Sequence, residues 1–172
     1  MGEWLSQYRP QTQYLCPFLT PYPDQTRNTL EKLVEQHIIG SLYLMGSSLG
    51  GFWATWLAEK YGLRTVLINP AVDLSLFNQK YINTGLKNYH TDDTYKLTED
   101  HIAGFKLSDT PAIRLPEKYM LLVQTGDEVL DYRQAVQKYR GCKQIIEEGG
   151  NHAFDCFDTY ITEAINFLET KR

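Results

Sequence analysis

Three residues in this sequence are of types that could together perform nucleophilic chemistry. Ser48 stands in Gly46-Ser47-Ser48-Leu49-Gly50, Asp127 in Thr125-Gly126-Asp127-Glu128, and His152 in Gly149-Gly150-Asn151-His152-Ala153-Phe154. A serine hydroxyl is a weak nucleophile until a base takes its proton. A histidine can accept that proton during attack and return it to the leaving group. An aspartate on the other ring nitrogen fixes the tautomer and stabilises the imidazolium. Such a set works only if the fold brings the three together, and the chain order Ser, Asp, His is one that a parallel sheet can assemble.

The setting of Ser48 is the strongest signal. Leu42 to Met45 is an apolar run of strand length. A sharp turn is expected at Gly46 to Gly51. A helical pattern follows, with Phe52, Trp56 and Ala58 toward one side, and Gly62 stops it after Lys60 and Tyr61. Strand, tight turn and helix around Gly-x-Ser-x-Gly form the nucleophile elbow, whose strained backbone points the hydroxyl out of the fold. Gly46 and Gly50 are expected to remove side chains that would collide where strand and helix pass closely. Leu49 would open the helix, where a free backbone N–H can meet a developing oxyanion. With glycine and serine each near 7% of residues, the bare pattern arises by chance in roughly 5% of chains this long. The flanking elements lower that figure. A Walker loop would need Gly-Lys, and a dinucleotide fingerprint would need glycine at position 48. The plain alternative is a glycine-rich turn of no chemical use.

The partners have rivals. Asp131 lies four residues beyond Asp127, but Asp127 is closer to a strand end. Glu147 and Glu148 fall within a strand. A Gly-Asp turn can also be a structural Asx turn. His37, His90 and His101 read as loop residues without a role. Gly149 and Gly150 suit a loop that must curl His152 back over the serine.

The elements that must position these groups can be read in order. Gly2 to Arg9 reads as the last turns of a helix. Gln13 to Leu19 reads as a short strand, and Pro17 suits a strand end or an edge. Asp24 can cap a helix carrying Leu30, Leu33, Val34 and Ile38, with Gly40 ending it. Thr65 to Asn69 is a continuous apolar strand, as in a sheet covered on both faces, and Pro70 stops it. Residues 71–117 break the rhythm. They are polar and rich in aromatics (Phe77, Tyr81, Tyr89, Tyr95, Phe105), with a short helix near Thr98 to Phe105. So long an excursion reads as a small cap over the site, the alternative being a plain surface insertion. Tyr119 to Thr125 is the next buried strand, Tyr132 to Tyr139 a helix stopped by Gly141, and Lys143 to Glu148 the last strand. A final amphipathic helix carries Tyr160, Ile161, Ala164, Ile165 and Leu168. Strands alternate with helices, so the expected fold is α/β with a mainly parallel sheet. Ser48, Asp127 and His152 then follow three strand ends, where such sheets collect reactive groups.

The whole chain bounds the reading. Its 172 residues are enough for one domain with its own core, and 42% hydrophobic content fits a globular protein. The net charge of −4 implies no broad basic surface, so a nucleic-acid partner is not expected. Cys16, Cys142 and Cys156 form neither a Cys-x-x-Cys pair nor a zinc spacing, so no metal is expected and the thiols should be reduced in a cytoplasmic protein. No apolar run reaches membrane-spanning length, and no signal-peptide pattern opens the chain.

Four stretches carry a resemblance: Gly46-Ser47-Ser48-Leu49-Gly50-Gly51, Asn69-Pro70-Ala71-Val72, Gln124 to Ala135, and Glu148 to Phe154. Along its whole length the chain resembles the YqiA-like bacterial esterases (the UPF0227 group) of the α/β-hydrolase superfamily. The expected organisation is a single domain over 1–172, with helices on both faces of the sheet and a cap insertion at about 71–117. The resemblance implies a cytoplasmic esterase or thioesterase acting on acyl esters, acyl-CoA included, without a cofactor. Carried over by position, Ser48 is the nucleophile, Asp127 the acid and His152 the base.

One departure bears on function. Members of that group begin with an apolar strand ending in a His-Gly-type motif, and this chain starts inside the helix that follows it. The sequence is therefore expected to begin part-way into the domain. The absent strand would lie between the one at Tyr14 and the elbow strand, and its end would supply the second oxyanion donor, leaving the Leu49 N–H alone. Were this chain the whole protein, its strands would have to close the gap, or a second chain would have to fill it. The main expectation is hydrolysis of acyl esters or thioesters through an acyl-enzyme on Ser48. The alternative is a hydrolase-like fold, catalytically impaired, that serves as a binding or interaction domain. A cofactor-free perhydrolase or lyase on the same three residues is a weaker third reading.

Overall fold

Tyr119–Gln124 is buried at every position and forms the spine of the sheet. The computed structural model describes residues 1–38, 41–72, 74, 86–87 and 94–170. Its main sheet has four parallel strands in the order β1 (Tyr43–Ser48), β2 (Arg64–Pro70), β5 (Tyr119–Gln124), β6 (Lys143–Glu147). A second, two-stranded antiparallel ribbon pairs β3 (Leu86–Lys87) with β4 (Thr94–Tyr95). The helices are α1 (Gly2–Tyr8), α2 (Pro23–His37), α3 (Leu49–Tyr61), α4 (Glu99–Leu107), α5 (Tyr132–Lys138) and α6 (Ile161–Glu169). The expected α/β architecture with a mainly parallel sheet is therefore present.

Strand side chains alternate between faces, and both faces are covered. Val66, Ile68, Met120 and Leu122 face α1 and α6, against Leu5, Ile161, Ala164, Ile165 and Leu168. Leu67, Leu121 and Val123 face α3 and α5, against Ala54, Ala58, Ala135 and Tyr139. That double cover is why the two central strands read as unbroken apolar runs. A third cluster joins α2, α3 and α4 through Leu30, Val34, Phe52, Trp53, Leu57 and Phe105. Phe105 lies 6.1 Å from Phe52 and 5.8 Å from Trp53 between ring centroids. The short helix seen in the sequence near Thr98 is α4, with Thr98 and His101 closing a reciprocal cap at its start.

Several local expectations are corrected. Tyr14–Leu19 is not a strand; Tyr14, Leu15 and Phe18 are exposed. Among the described residues no strand pairs with this stretch, and none pairs with β1 on the side away from β2. β1 is thus an edge of the sheet, and the gap expected beside it is not closed by strand pairing. Asp24 is not a cap: α2 starts with Pro23 at its first position, and Asp24 pairs with Arg27 in the first turn. α3 is buried nearly all round; Trp53 and Leu57 are buried, whereas Trp56 is only partly so. His37 and His101 are helical rather than loop residues. Gly40, Phe77, Tyr81, Tyr89 and His90 lie outside the described residues. Among those described, no helix is long and apolar enough to cross a membrane, and the three cysteines are free thiols.

Candidate active site

The end of β1 runs into α3 with no intervening turn residues. Ser48 is the last strand residue and caps α3, with φ 52° and ψ −124°. A non-glycine residue rarely adopts a positive φ, and holding one there costs of order 1–3 kcal/mol. The surroundings enforce it. A Cβ on Gly46 would overlap the carbonyl group of Gly50, and one on Gly51 would sit 2.5 Å from the Pro70 Cβ. Gly50 itself faces open space, so the close approach requires Gly46 and Gly51 rather than Gly46 and Gly50. Ser48 also departs from strand register, lying opposite Pro70 after Ser47 pairs with Ile68. The Ala71 N–H donates to the Ser48 carbonyl at 2.9 Å. Leu49 occupies the first position of α3, where a backbone N–H has no partner within the helix.

Asp127 and His152 leave the ends of β5 and β6. The Asp127 carboxylate, 1% exposed, accepts from the N–H groups of Val129 and Leu130, each at 2.9 Å. It lies 3.0 and 2.9 Å from the His152 Nδ1, and the His152 Nε2 lies 2.9 Å from the Ser48 Oγ. A carboxylate only accepts, so the ring proton belongs on Nδ1, and Nε2 is left as the acceptor toward the serine hydroxyl. That is the protonation pattern a general base needs. The three residues singled out in the sequence are thus in direct contact.

The loop carrying His152 is held at many points. Gly149 and Gly150 both have positive φ, 76° and 71°, the conformation that glycine adopts without steric cost. The Gly126 N–H donates to the Gly149 carbonyl at 2.7 Å, and the Gly149 N–H to the Thr125 Oγ1 at 2.9 Å. The His152 N–H donates to the Glu128 Oε2 at 3.0 Å. Asn69 and Gln124 reach the same loop from β2 and β5. Asn69, Gln124 and Glu128 lie in stretches that carry the family resemblance, but their residue types alone implied no role. The signal available was a polar residue closing each apolar run, in Leu-Ile-Asn-Pro and Leu-Val-Gln-Thr.

The rivals are occupied elsewhere. Asp131 is exposed, caps α5 by accepting from the Arg133 N–H, and pairs with the Arg133 side chain. His37 contacts the Leu33 carbonyl within α2, and His101 contacts Thr98. Glu147 lies beside Tyr160, and its carboxylate pushes the Tyr160 hydroxyl up to about 12. Among the described residues, no group of three or more His, Cys, Asp or Glu is placed to hold a metal ion. Leu49 and Leu130, which follow Ser48 and Asp127 in the chain, pack with Leu74 against the cluster around Phe52, Trp53 and Phe105. An apolar surface therefore adjoins the serine.

Comparison with known proteins sets this geometry in context. The model of the family described as "Uncharacterised protein family (UPF0227)" matches residues 1–169. A putative hydrolase from Agrobacterium vitis S4 has a similar structure, with TM-score 0.63 and 13% identity over 86% of this chain and 69% of that one. Est1E from Butyrivibrio proteoclasticus gives TM-score 0.59 and 16% identity over 84% of this chain and 68% of that one. A monoacylglycerol lipase from Paleococcus ferrophilus gives 0.58 and 16% over 84% of this chain and 73% of that one. At these identities the likeness is one of fold, and the fold is of the α/β-hydrolase type.

Proposed function

The chain belongs to the UPF0227 family, and from that premise we propose that it is a cytoplasmic serine hydrolase of acyl esters or thioesters. Ser48 is the nucleophile, His152 the general base and acid, and Asp127 the residue that orients and stabilises the imidazolium. The observation that carries the reading is the unbroken series from Asp127 through both ring nitrogens of His152 to the Ser48 Oγ, with the two bonds to the ring near 2.9 Å. The name of the similarly folded monoacylglycerol lipase is in keeping with it.

The steps follow from the contacts. The Ser48 Oγ attacks the substrate carbonyl carbon as the His152 Nε2 takes the hydroxyl proton. The carbonyl π electrons move to oxygen, and the Leu49 N–H donates to that oxyanion. Collapse expels the alcohol or thiol, which takes the proton from Nε2 and leaves an ester on Ser48. Water then attacks the acyl-enzyme, His152 takes its proton, and the carboxylic acid departs as Ser48 is reprotonated. No cofactor enters. Leu49, Leu74 and Leu130 supply an apolar wall for a short-to-medium acyl chain, within a single domain.

The test is the intact mass of the chain after exposure to a fluorophosphonate, beside hydrolysis of p-nitrophenyl esters and acyl thioesters. An adduct on the wild type and none on Ser48→Ala supports an activated serine. An unlabelled wild type overturns the reading. A second reading, a hydrolase-like domain that binds without turnover, draws on the edge position of β1. Among the described residues no strand end faces Ser48 from that side to add an oxyanion donor, and losing one donor typically costs on the order of 10²–10³ in rate. Under that reading Ser48→Ala leaves ligand binding unchanged and there is no turnover to lose.

A further inference from the structure

Asn69 and Gln124 are buried polar side chains, 2% and 5% exposed, with no part in the chemical steps above. Both stand at the ends of the strands that separate β1 from β6, and both turn their amides onto the loop that carries His152. The Asn69 Nδ2 donates to the Asn151 and His152 carbonyls at 3.0 and 3.1 Å, while its Oδ1 accepts from the Gln124 N–H at 3.0 Å. The Gln124 Oε1 accepts from the Asn151 and Asp155 N–H groups at 3.1 and 2.8 Å, and its Nε2 donates to the Asp155 carbonyl at 3.0 Å. The loop is thus gripped at His152 and on both sides of it.

Asn69 has a second property. Its φ is 39°, in the left-handed region, which asparagine tolerates better than most side chains. It is also the residue omitted from the ladder, since Ser47 pairs with Ile68 and Ser48 with Pro70. The irregularity at Asn69 therefore does two things at once. It turns the amide toward the histidine loop, and it brings the Ala71 N–H onto the Ser48 carbonyl at 2.9 Å. The backbones of the serine and of the histidine are both referred to one kinked strand end.

We propose that Asn69 is a positioning residue that sets the distance between Ser48 and His152, because the bulge it forms at the end of β2 holds both backbones. The role presupposes the serine-hydrolase reading given above. The chemistry of the side chain explains why an amide is needed. Two carbonyl oxygens require two donors, and the Gln124 N–H requires an acceptor, all within the reach of one short side chain. Aspartate has the shape and the acceptor but no donor, so it would set a carboxylate against two carbonyls. Glycine keeps the positive φ and removes the amide.

The test compares wild type, Asn69→Gly and Asn69→Asp, with Ile165→Val as a variant in the core between α6 and the sheet. Three readouts are taken on the full chain: urea midpoint, the rate of fluorophosphonate labelling of Ser48, and the ¹⁵N-histidine NMR signal of the His152 Nδ1–H, assigned by its absence in His152→Ala. The Asn69 variants are expected to label about 10- to 100-fold more slowly, as a displacement near 1 Å can cost that much, and to lose the Nδ1–H signal. Ile165→Val is expected to lower the urea midpoint and keep both. Wild-type labelling rate and an unchanged Nδ1–H signal in folded Asn69→Gly overturn the proposal, leaving Asn69 a purely structural amide. If Asn69→Gly does not fold, Asn69→Asp is read in its place, since it keeps the shape and the acceptor. A wild type that takes no label overturns the serine-hydrolase reading itself. The positioning role is then judged by the NMR signal alone, supported if the variants lose it and overturned if they keep it.

Discussion

Asp127 presents both carboxylate oxygens to the Nδ1 of His152, at 3.0 and 2.9 Å, from 25 positions earlier in the chain. Asp127→Asn keeps the shape but places an amide donor where only acceptors serve, so the ring is driven toward the wrong tautomer. A fall in kcat of about 10⁴ is expected, the size seen when the corresponding residue of a serine protease is changed the same way. Asp131→Asn, on a residue engaged with Arg133, is expected to leave the rate unaltered. Steady-state hydrolysis of p-nitrophenyl butyrate by the two variants checks this. Equal losses would remove the distinction.

The three glycines around the serine separate cleanly. Gly46→Ala and Gly51→Ala force a methyl group into the Gly50 carbonyl and into Pro70. Each is expected to lower stability by about 1–3 kcal/mol, the usual cost of overpacking. Gly50→Ala meets no atom within 4 Å and lies in the first turn of α3. It is expected to be neutral, or stabilising by up to about 1 kcal/mol through helix propensity. Urea unfolding of the three variants gives the order.

Cys142 is half-buried, and burial, with the carboxylates of Glu117 and Glu59, pushes its thiol up to about 11. At pH 8 such a thiol is only about 0.1% thiolate, against roughly a quarter for an ordinary one. Cys16 and Cys156 are exposed. Iodoacetamide on the folded protein is therefore expected to add two groups by mass, with the third added only in urea. Rapid labelling of Cys142 in the native state would contradict this.

Glu59 supplies an acid-sensitive tie between α3 and β5. Burial acts to raise its pKa, but hydrogen bonds from Arg114 at 2.8 Å and from the Tyr119 hydroxyl at 2.7 Å prevail and hold it below 4.5. A carboxylate depressed by folding contributes stability above its unfolded value and loses it as pH falls toward the folded one. Stability should therefore drop as the pH is lowered through the ordinary glutamate range and below it. Glu59→Gln should cost about 1–2 kcal/mol at neutral pH and shrink that drop. Urea midpoints at several pH values for both proteins decide it.

Much of the fold was legible because local pattern and tertiary structure agree. The buried runs at Thr65–Asn69 and Tyr119–Thr125 became β2 and β5 because helices cover both faces of the sheet. The run at Gln13–Leu19 has the same apolar content and is coil, because a strand exists only through a neighbour with which it can pair. Gly50 was credited with a close approach that belongs to Gly51, because the choice depends on where Pro70 of another strand passes.

The sequence by itself determined the residue types of the site and their order. Ser48, Asp127 and His152 could be picked out because glycines and strand patterns mark each of their turns. Only the tertiary structure decided the distances between them and what maintains those distances. Asn69 and Gln124 look in sequence like ordinary polar ends of apolar strands. Their partners lie 82 and 27 positions away at Asn151. Which loop a buried amide holds depends on the order of strands in the sheet, and no local pattern in the chain encodes that order.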